Sequence, residues 1–125
     1  MKNKALLLFS GGQDSTTVLA WCLKKFDQVY LITFDYGQNH KIEIDIAKKV
    51  LSSFKKKFAK DSKKIKSNIT FRIENLNSLN KNSLTSNMTI SKNKGLPNTF
   101  VPGRNLLFYI LSSSYAYDKK IKNIV

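Results

Sequence analysis

The chain is short of cysteine, arginine, acidic residues and long apolar runs, and each shortage removes a class of protein. Its 125 residues include a single cysteine, Cys22. Neither a disulfide framework nor a four-cysteine zinc site is built from this sequence alone. Cys22 sits inside an apolar stretch, which reads as a small core thiol rather than a nucleophile. The longest apolar runs, residues 18–23 and 106–111, are six residues each, far below the roughly 20 that a membrane-spanning helix needs. Lys2 and Lys4 ahead of the apolar residues 5–9 imitate the start of a secretory signal. That stretch is too short, however, and runs into Ser10-Gly11-Gly12 rather than a cleavage site. A cytoplasmic location is expected.

Eight acidic residues stand against 22 basic ones, a net charge of +14. Such a balance ordinarily raises nucleic acid as a partner. Only Arg72 and Arg104 are arginines, and the lysines accompany abundant Asn and Ile. The charge therefore reads as a general coding bias more than a surface that tracks phosphates, and nucleic acid is not the expected partner. A hydrophobic share of 42% excludes a disordered chain.

Residues 4–9 and 29–34 form short apolar, β-branched runs bounded by turn residues, as buried strands do. Residues 16–26 are apolar and end in Lys24 and Lys25, which suits a helix packed on a sheet with cations at its negative end. Residues 41–58 place Ile42, Ile46, Ala47, Val50, Leu51, Phe54 and Phe58 at helical spacing, predicting one inner face. Seven lysines within residues 55–66 read as a solvated helix end and linker. Residues 68–73 alternate as a third strand. Residues 74–98 are polar and aperiodic, a long functional loop or a disordered one. Residues 105–117 predict a helix with Leu106, Leu107, Ile110, Leu111 and Ser114 inward, and residues 121–125 begin another strand. The order β-α-β-α-β-loop-α-β predicts an α/β fold with a parallel sheet covered on both faces. Ligands of such folds bind outside the carboxyl ends of the strands, where the strand order reverses. Because the sequence stops within a strand, it is expected to be the N-terminal part of a longer protein, with an edge strand and an apolar face that invite self-association.

Ser10-Gly11-Gly12-Gln13-Asp14-Ser15 joins the first strand to the first helix. Gly11 and Gly12 allow positive φ and close approach of a ligand to the backbone. The helix starts near residues 14–16, so its free N–H groups and positive dipole end face the loop, an anion site. Ser10, Ser15 and Thr16 offer hydroxyl donors. Asp14 caps the helix or holds a Mg²⁺ that bridges phosphates. Neither the Walker pattern nor Gly-x-Gly-x-x-Gly is present. Ser-Gly-Gly-x-Asp-Ser resembles the PP-loop of the ATP pyrophosphatase superfamily, whose members cleave ATP between the α and β phosphates. Five specified residues recur by chance about once in 10⁶ positions.

Two more segments narrow the resemblance: Thr33-Phe34-Asp35-Tyr36-Gly37-Gln38 after the second strand, and Thr99-Phe100-Val101-Pro102-Gly103-Arg104-Asn105 before the last helix. With Gln13 in the loop, the chain resembles the 7-cyano-7-deazaguanine synthase family of queuosine biosynthesis over nearly its whole length, least in residues 55–98. The resemblance implies a Rossmann-like PP-loop fold of the adenine nucleotide alpha hydrolase type, truncated on its C-terminal side, with residues 1–125 as its ATP-binding domain. It implies a carbon–nitrogen ligase that turns 7-carboxy-7-deazaguanine, ammonia and ATP into 7-cyano-7-deazaguanine (preQ0) through an acyl-adenylate, with Mg²⁺ as cofactor and a homodimer as assembly. The family's Zn²⁺ has no ligands in this chain.

Residue by residue, the resemblance implies ATP contacts at Phe9, Ser10, Gly11, Gly12, Gln13, Asp14, Ser15, Thr16, Thr17, Val18, Leu19, Asp35 and Arg104. Substrate contacts fall to Tyr36, Gln38 and Asn105, and catalytic roles to Arg104 and Asp14. Read without the family, Asp35 is also good turn chemistry. His40, the only histidine, reads as a hydrogen-bonding residue ahead of a helix more than a proton carrier, and Glu43 as its surface partner or a support of the loop. Arg104 follows Pro102 and Gly103, which aim it so that its fork can hold phosphate. Arg72 reads as half of a surface salt bridge. Two other functions remain open at this point, a PP-loop tRNA-modifying enzyme and a nucleotide-binding fragment without catalysis.

Overall fold

A computed structural model describes residues 2–37, 41–74 and 103–125, with the backbone of 92–93 and 96–97. In chain order the elements are β1 (Lys4–Leu8), α1 (Gln13–Lys25), β2 (Gln28–Asp35), α2 (Lys41–Lys57), α3 (Ala59–Ser62), β3 (Ile65–Arg72), β4 (Lys92–Asn93), β5 (Leu96–Pro97), α4 (Arg104–Asp118) and β6 (Asn123–Ile124). Four strands form a parallel sheet in the order β3-β2-β1-β6, while β4 and β5 make a separate antiparallel pair. The chain steps outward from β1 through β2 to β3, then returns to β6 on the other side of β1. That reversal puts the switch point at the carboxyl end of β1, where the Gly-Gly loop lies. The expected α/β fold with a doubly covered parallel sheet is the one observed.

Strand parity divides the interior into two cores. Ala5, Leu7, Phe9, Val29 and Leu31 pack with Leu19, Cys22 and Leu23 of α1 and Ala47, Leu51 and Phe54 of α2. Leu6, Ile32, Phe34 and Tyr36 point the other way, under Ala116, Leu107, Phe108, Leu111 and Tyr115. Both faces of β1 and β2 are thus buried, which is why these strands read as continuous apolar runs. Cys22 is a fully buried core thiol, as its neighbours predicted, and burial pushes its pKa up.

Two inner faces differ from the expectation. In α2 the buried residues are Ile44, Ala47, Leu51 and Phe54, whereas Ile42, Ile46 and Phe58 are 69%, 52% and 42% exposed. The apolar stripe is wider than the contact it makes, so its flanks remain in water. In α4 the buried residues are Ser112 and Ala116, while Leu106 and Ile110 are 67% and 57% exposed and Ser114 lies outside the core. A helix this apolar gives little phase from hydropathy. The small side chains of Ser112 and Ala116 set the seam, because they let the helix approach the sheet. The lysine-rich segment forms the last turn of α2, the short α3 and the start of β3, which begins at Ile65 rather than residue 68. Lys64 donates from Nζ to the Leu23 carbonyl at 2.7 Å, tying this segment to the end of α1. Most of the expected loop 74–98 lies outside the described residues.

Candidate functional site

The loop after β1 is held by its own side chains. The Phe9 amide donates to the Ile32 carbonyl at 2.9 Å, which keeps the chain against β2 for one residue beyond the strand. The Thr33 hydroxyl donates to the Phe9 carbonyl at 2.8 Å. Ser15 Oγ accepts from the Ser10 amide at 3.1 Å and donates to the Leu8 carbonyl at 3.5 Å. Ser10 Oγ accepts from the Gly12 amide at 3.3 Å, so its own proton is available to a ligand.

The two glycines do different work, which corrects the expectation that both take positive φ. Gly11 has φ +80. A Cβ on Gly11 would lie 2.5 Å from Ala47 Cα and 2.7 Å from its Cβ, so the position is closed by α2 rather than by a ligand. Gly12 is extended, with φ −72 and ψ 172. A Cβ there would meet only Ser10 Oγ, at 3.5 Å. Gly12 is therefore the position where close approach of a ligand is free of steric demands from the protein.

Gly12 is the N-cap of α1, and no side chain caps it. This corrects the capping role considered for Asp14, which is exposed in the first turn. The Thr16 amide makes the first helical bond, to the Gly12 carbonyl at 3.0 Å. The amides of Gln13, Asp14 and Ser15 precede that ladder and have no intrahelical acceptor. Together with the helix dipole they form a ready anion site. Thr16 and Thr17 turn their hydroxyls back to the carbonyls of Gly12 and Gln13 at 2.8 and 2.9 Å, so Thr16 is not the third donor expected. Further along, Val18 packs against the core and Leu19 is fully enclosed in it.

A cavity of about 230 Å³ opens beside this loop at the ends of β1 and β2, and Ser10, Thr33, Tyr36, Arg104, Asn105 and Phe108 are among its walls. Arg104 is the first residue of α4 and follows Gly103, whose φ of +73 turns the chain into the helix. Its Nη1 donates to Tyr36 Oη at 3.2 Å, and its guanidinium carbon lies 5.5 Å from the Tyr36 ring centre. Tyr36 is only 6% exposed. Burial raises its phenol pKa, opposed by the charge and hydrogen bond of Arg104 and reinforced by the negative charge of Glu43. Phe34 and Phe108 stack at 4.3 Å with planes 5° apart and form an aromatic wall.

The structure gathers Phe9, Ser10, Tyr36, Arg104 and Asn105 around one cavity but sets Asp35 apart. Asp35 ends β2 and Tyr36 follows it, so the two side chains face opposite sides, and the Asp35 carboxylate lies 3.7 Å from Arg72 Nε. Asp35 and Arg72 are register partners of β2 and β3. Arg72 thus has the surface salt bridge expected of it, with a partner that sequence reading had assigned to ATP. Gln38, His40 and Pro102 lie outside the described residues. Phe108, Thr33 and Ala47 were missed; Phe108 was detectable, since it stands one helical turn after Arg104.

Zinc does not fit the residues present: the single cysteine is sealed in a core, and the described residues hold no cluster of three metal-ligating side chains. Mg²⁺ fits better, because it commonly takes one carboxylate plus substrate phosphates, and Asp14 is an exposed carboxylate beside the free amides.

The family model described as "Queuosine biosynthesis protein QueC" matches residues 4–125. The chain belongs to the QueC family. It is 44% identical over 126 residues to a 7-cyano-7-deazaguanine synthase of Polaromonas sp. (strain JS666 / ATCC BAA-500), covering 100% of this chain and 54% of that protein. It is 44% identical over 122 residues to 7-cyano-7-deazaguanine synthase 1 of Rhodopseudomonas palustris (strain HaA2), covering 97% and 51% respectively. The chain thus spans about half the length of these family members. Among the described residues, no helix is long and apolar enough to cross a membrane.

Proposed function

We propose that residues 1–125 form the ATP-binding domain of an enzyme that makes 7-cyano-7-deazaguanine from 7-carboxy-7-deazaguanine, ammonia and ATP. The observation that carries this reading is a cavity walled by both Ser10, in the loop that leads into the uncapped start of α1, and Arg104. Under this reading the phosphates lie on the amides of residues 13–15 and the Ser10 hydroxyl, and Tyr36, Gln38 and Asn105 meet the deazapurine. The substrate carboxylate attacks the α-phosphorus and pyrophosphate leaves. The growing charge on that group is met by the amides, the helix dipole and Arg104, which is positioning and electrostatic stabilisation without a protein nucleophile. Mg²⁺, held by Asp14 and the phosphates, would neutralise part of the same charge. Ammonia displaces AMP from the acyl-adenylate to give the amide; a second ATP adenylates the amide oxygen with release of pyrophosphate, and that oxygen leaves in AMP, with loss of the nitrogen's protons, to give the nitrile. The protein works in the cytoplasm as a homodimer.

The test is formation of AMP and pyrophosphate from ATP with and without 7-carboxy-7-deazaguanine. AMP release that depends on the deazapurine supports the reading; ATP bound without AMP release under both conditions contradicts it. That second outcome is the signature of an alternative, a nucleotide-binding chain without turnover.

A further inference from the structure

The loop after β1 also meets α2, at Gly11. Gly11 turns at φ +80, and the direction a side chain would take from it runs into the backbone of α2 at Ala47. Ala47 is itself 4% exposed. It also lines a cavity of about 10 Å³ shared with Phe9, Thr33 and Ile44. That space holds at most about one water, so the two extra methyl groups of a valine do not fit in it. The loop and α2 therefore meet through a contact that admits nothing at residue 11 and little beyond a methyl at residue 47. One turn earlier on α2, Glu43 acts on Tyr36, the hydrogen-bond partner of Arg104.

We propose that Ala47 is a positioning residue for the phosphate loop: by its size it fixes the height of Gly11, and so the aim of the amides of residues 13–15. The proposal rests on the ATP reading above. Packed interiors transmit displacements of a few tenths of an ångström instead of absorbing them, and hydrogen bonding to an anion falls steeply with misaimed donors. A larger side chain at 47 pushes the loop outward without touching a ligand. Ile46, its neighbour in sequence, is 52% exposed and serves as the control.

The experiment compares the parent chain with Ala47→Val, Ala47→Gly and Ile46→Val. Titration calorimetry with Mg-ATP gives affinity, thermal melting gives stability, and amide resonances of the ligand-free protein report on the loop. Ala47→Val is expected to weaken Mg-ATP at least tenfold and to shift the amides of residues 11–15, with the β1 and β2 amides unmoved. Ile46→Val is expected to stay within threefold of the parent, and Ala47→Gly, which removes the methyl group that sets the height of Gly11, to weaken Mg-ATP severalfold. Should Ala47→Val not fold, Ala47→Ser carries the test, with a severalfold loss and the same local shifts. Parental affinity in Ala47→Val, or in a folded Ala47→Ser where that variant carries the test, overturns the proposal. So do resonance shifts spread evenly over the sheet, which mark a merely structural role. A parent that does not bind Mg-ATP overturns the proposed function and this inference with it, whereas a binding parent with an indifferent variant overturns the inference alone.

Discussion

The two faces of the sheet are built to different tolerances. The α1/α2 face is closed: two helices cover it, and the approach of α2 to the loop leaves no room for a Cβ at Gly11. The α4 face is looser. Among the described residues one helix covers it, Leu106, Ile110 and Tyr117 stay outward, and the 230 Å³ cavity opens at its top. The candidate site straddles the two, with its anion-binding loop pinned by the closed face and its ligand space on the open one. A site of this kind combines fixed donors with room for a substrate.

The largest expected contrast is in stability. Leu31→Ala and Leu23→Ala empty fully packed positions of the closed face and should each cost about 3 kcal/mol in urea unfolding. Leu106→Ala, on the outer side of α4 at 67% exposure, should change stability by less than about 0.5 kcal/mol. Equal losses would mean that the outer side of α4 is buried in solution.

Next come the arginines, one on each side. Arg104→Ala should lower turnover about a hundredfold, since a guanidinium opposite a leaving pyrophosphate stabilises the transition state more than bound ATP. Arg104→Lys should recover only part of that, lacking the fork. Arg72→Ala should stay within a few-fold, because its pair with Asp35 is 67% exposed on the arginine side and such pairs contribute little. Comparable losses from the two alanine variants would remove the distinction.

The glycines sharpen the comparison further. Gly103→Ala should cost about 1 kcal/mol for its positive φ, since no described residue lies within 4 Å of the added Cβ. Gly11→Ala meets the same φ penalty and the backbone of Ala47 as well, so its loss should be at least about twice as large.

Two smaller effects belong to the open face. Ser112 is fully buried and its hydroxyl has no hydrogen-bond partner among the described residues. Ser112→Ala should therefore be neutral or stabilising by up to about 1 kcal/mol. Tyr36 titrates higher folded than unfolded. Its contribution is full below the unfolded value of about 10 and is lost as pH rises through the folded value. Tyr36→Phe should flatten that alkaline fall, measured as melting temperature against pH.

The sequence was legible where local physics and burial agree. Residues 5–8 and 29–34 carry little but apolar side chains, so strands buried on both faces were readable, and the Gly-Gly loop announced its own turn and helix start. The seam of α4 was not readable. Its apolar residues surround the helix, and the choice of Ser112 and Ala116 depends on how near the sheet lies. Nor was the division of Asp35 from Tyr36 foreseen, although strand alternation contains it, because both had been read as one strand-end segment. The role of Gly11 was hidden for another reason: the residue that demands a glycine, Ala47, is 36 positions away in sequence and meets it only in the fold.

The most direct test of the account is the affinity of Mg-ATP for Gly12→Ala against the parent, with melting measured on both. The backbone at Gly12 suits any residue, and its added Cβ meets only Ser10 Oγ at 3.5 Å. The account predicts a folded variant, destabilised by no more than about 1 kcal/mol from the poorer cap, whose affinity for Mg-ATP falls at least tenfold. A folded Gly12→Ala that binds Mg-ATP as tightly as the parent would contradict it.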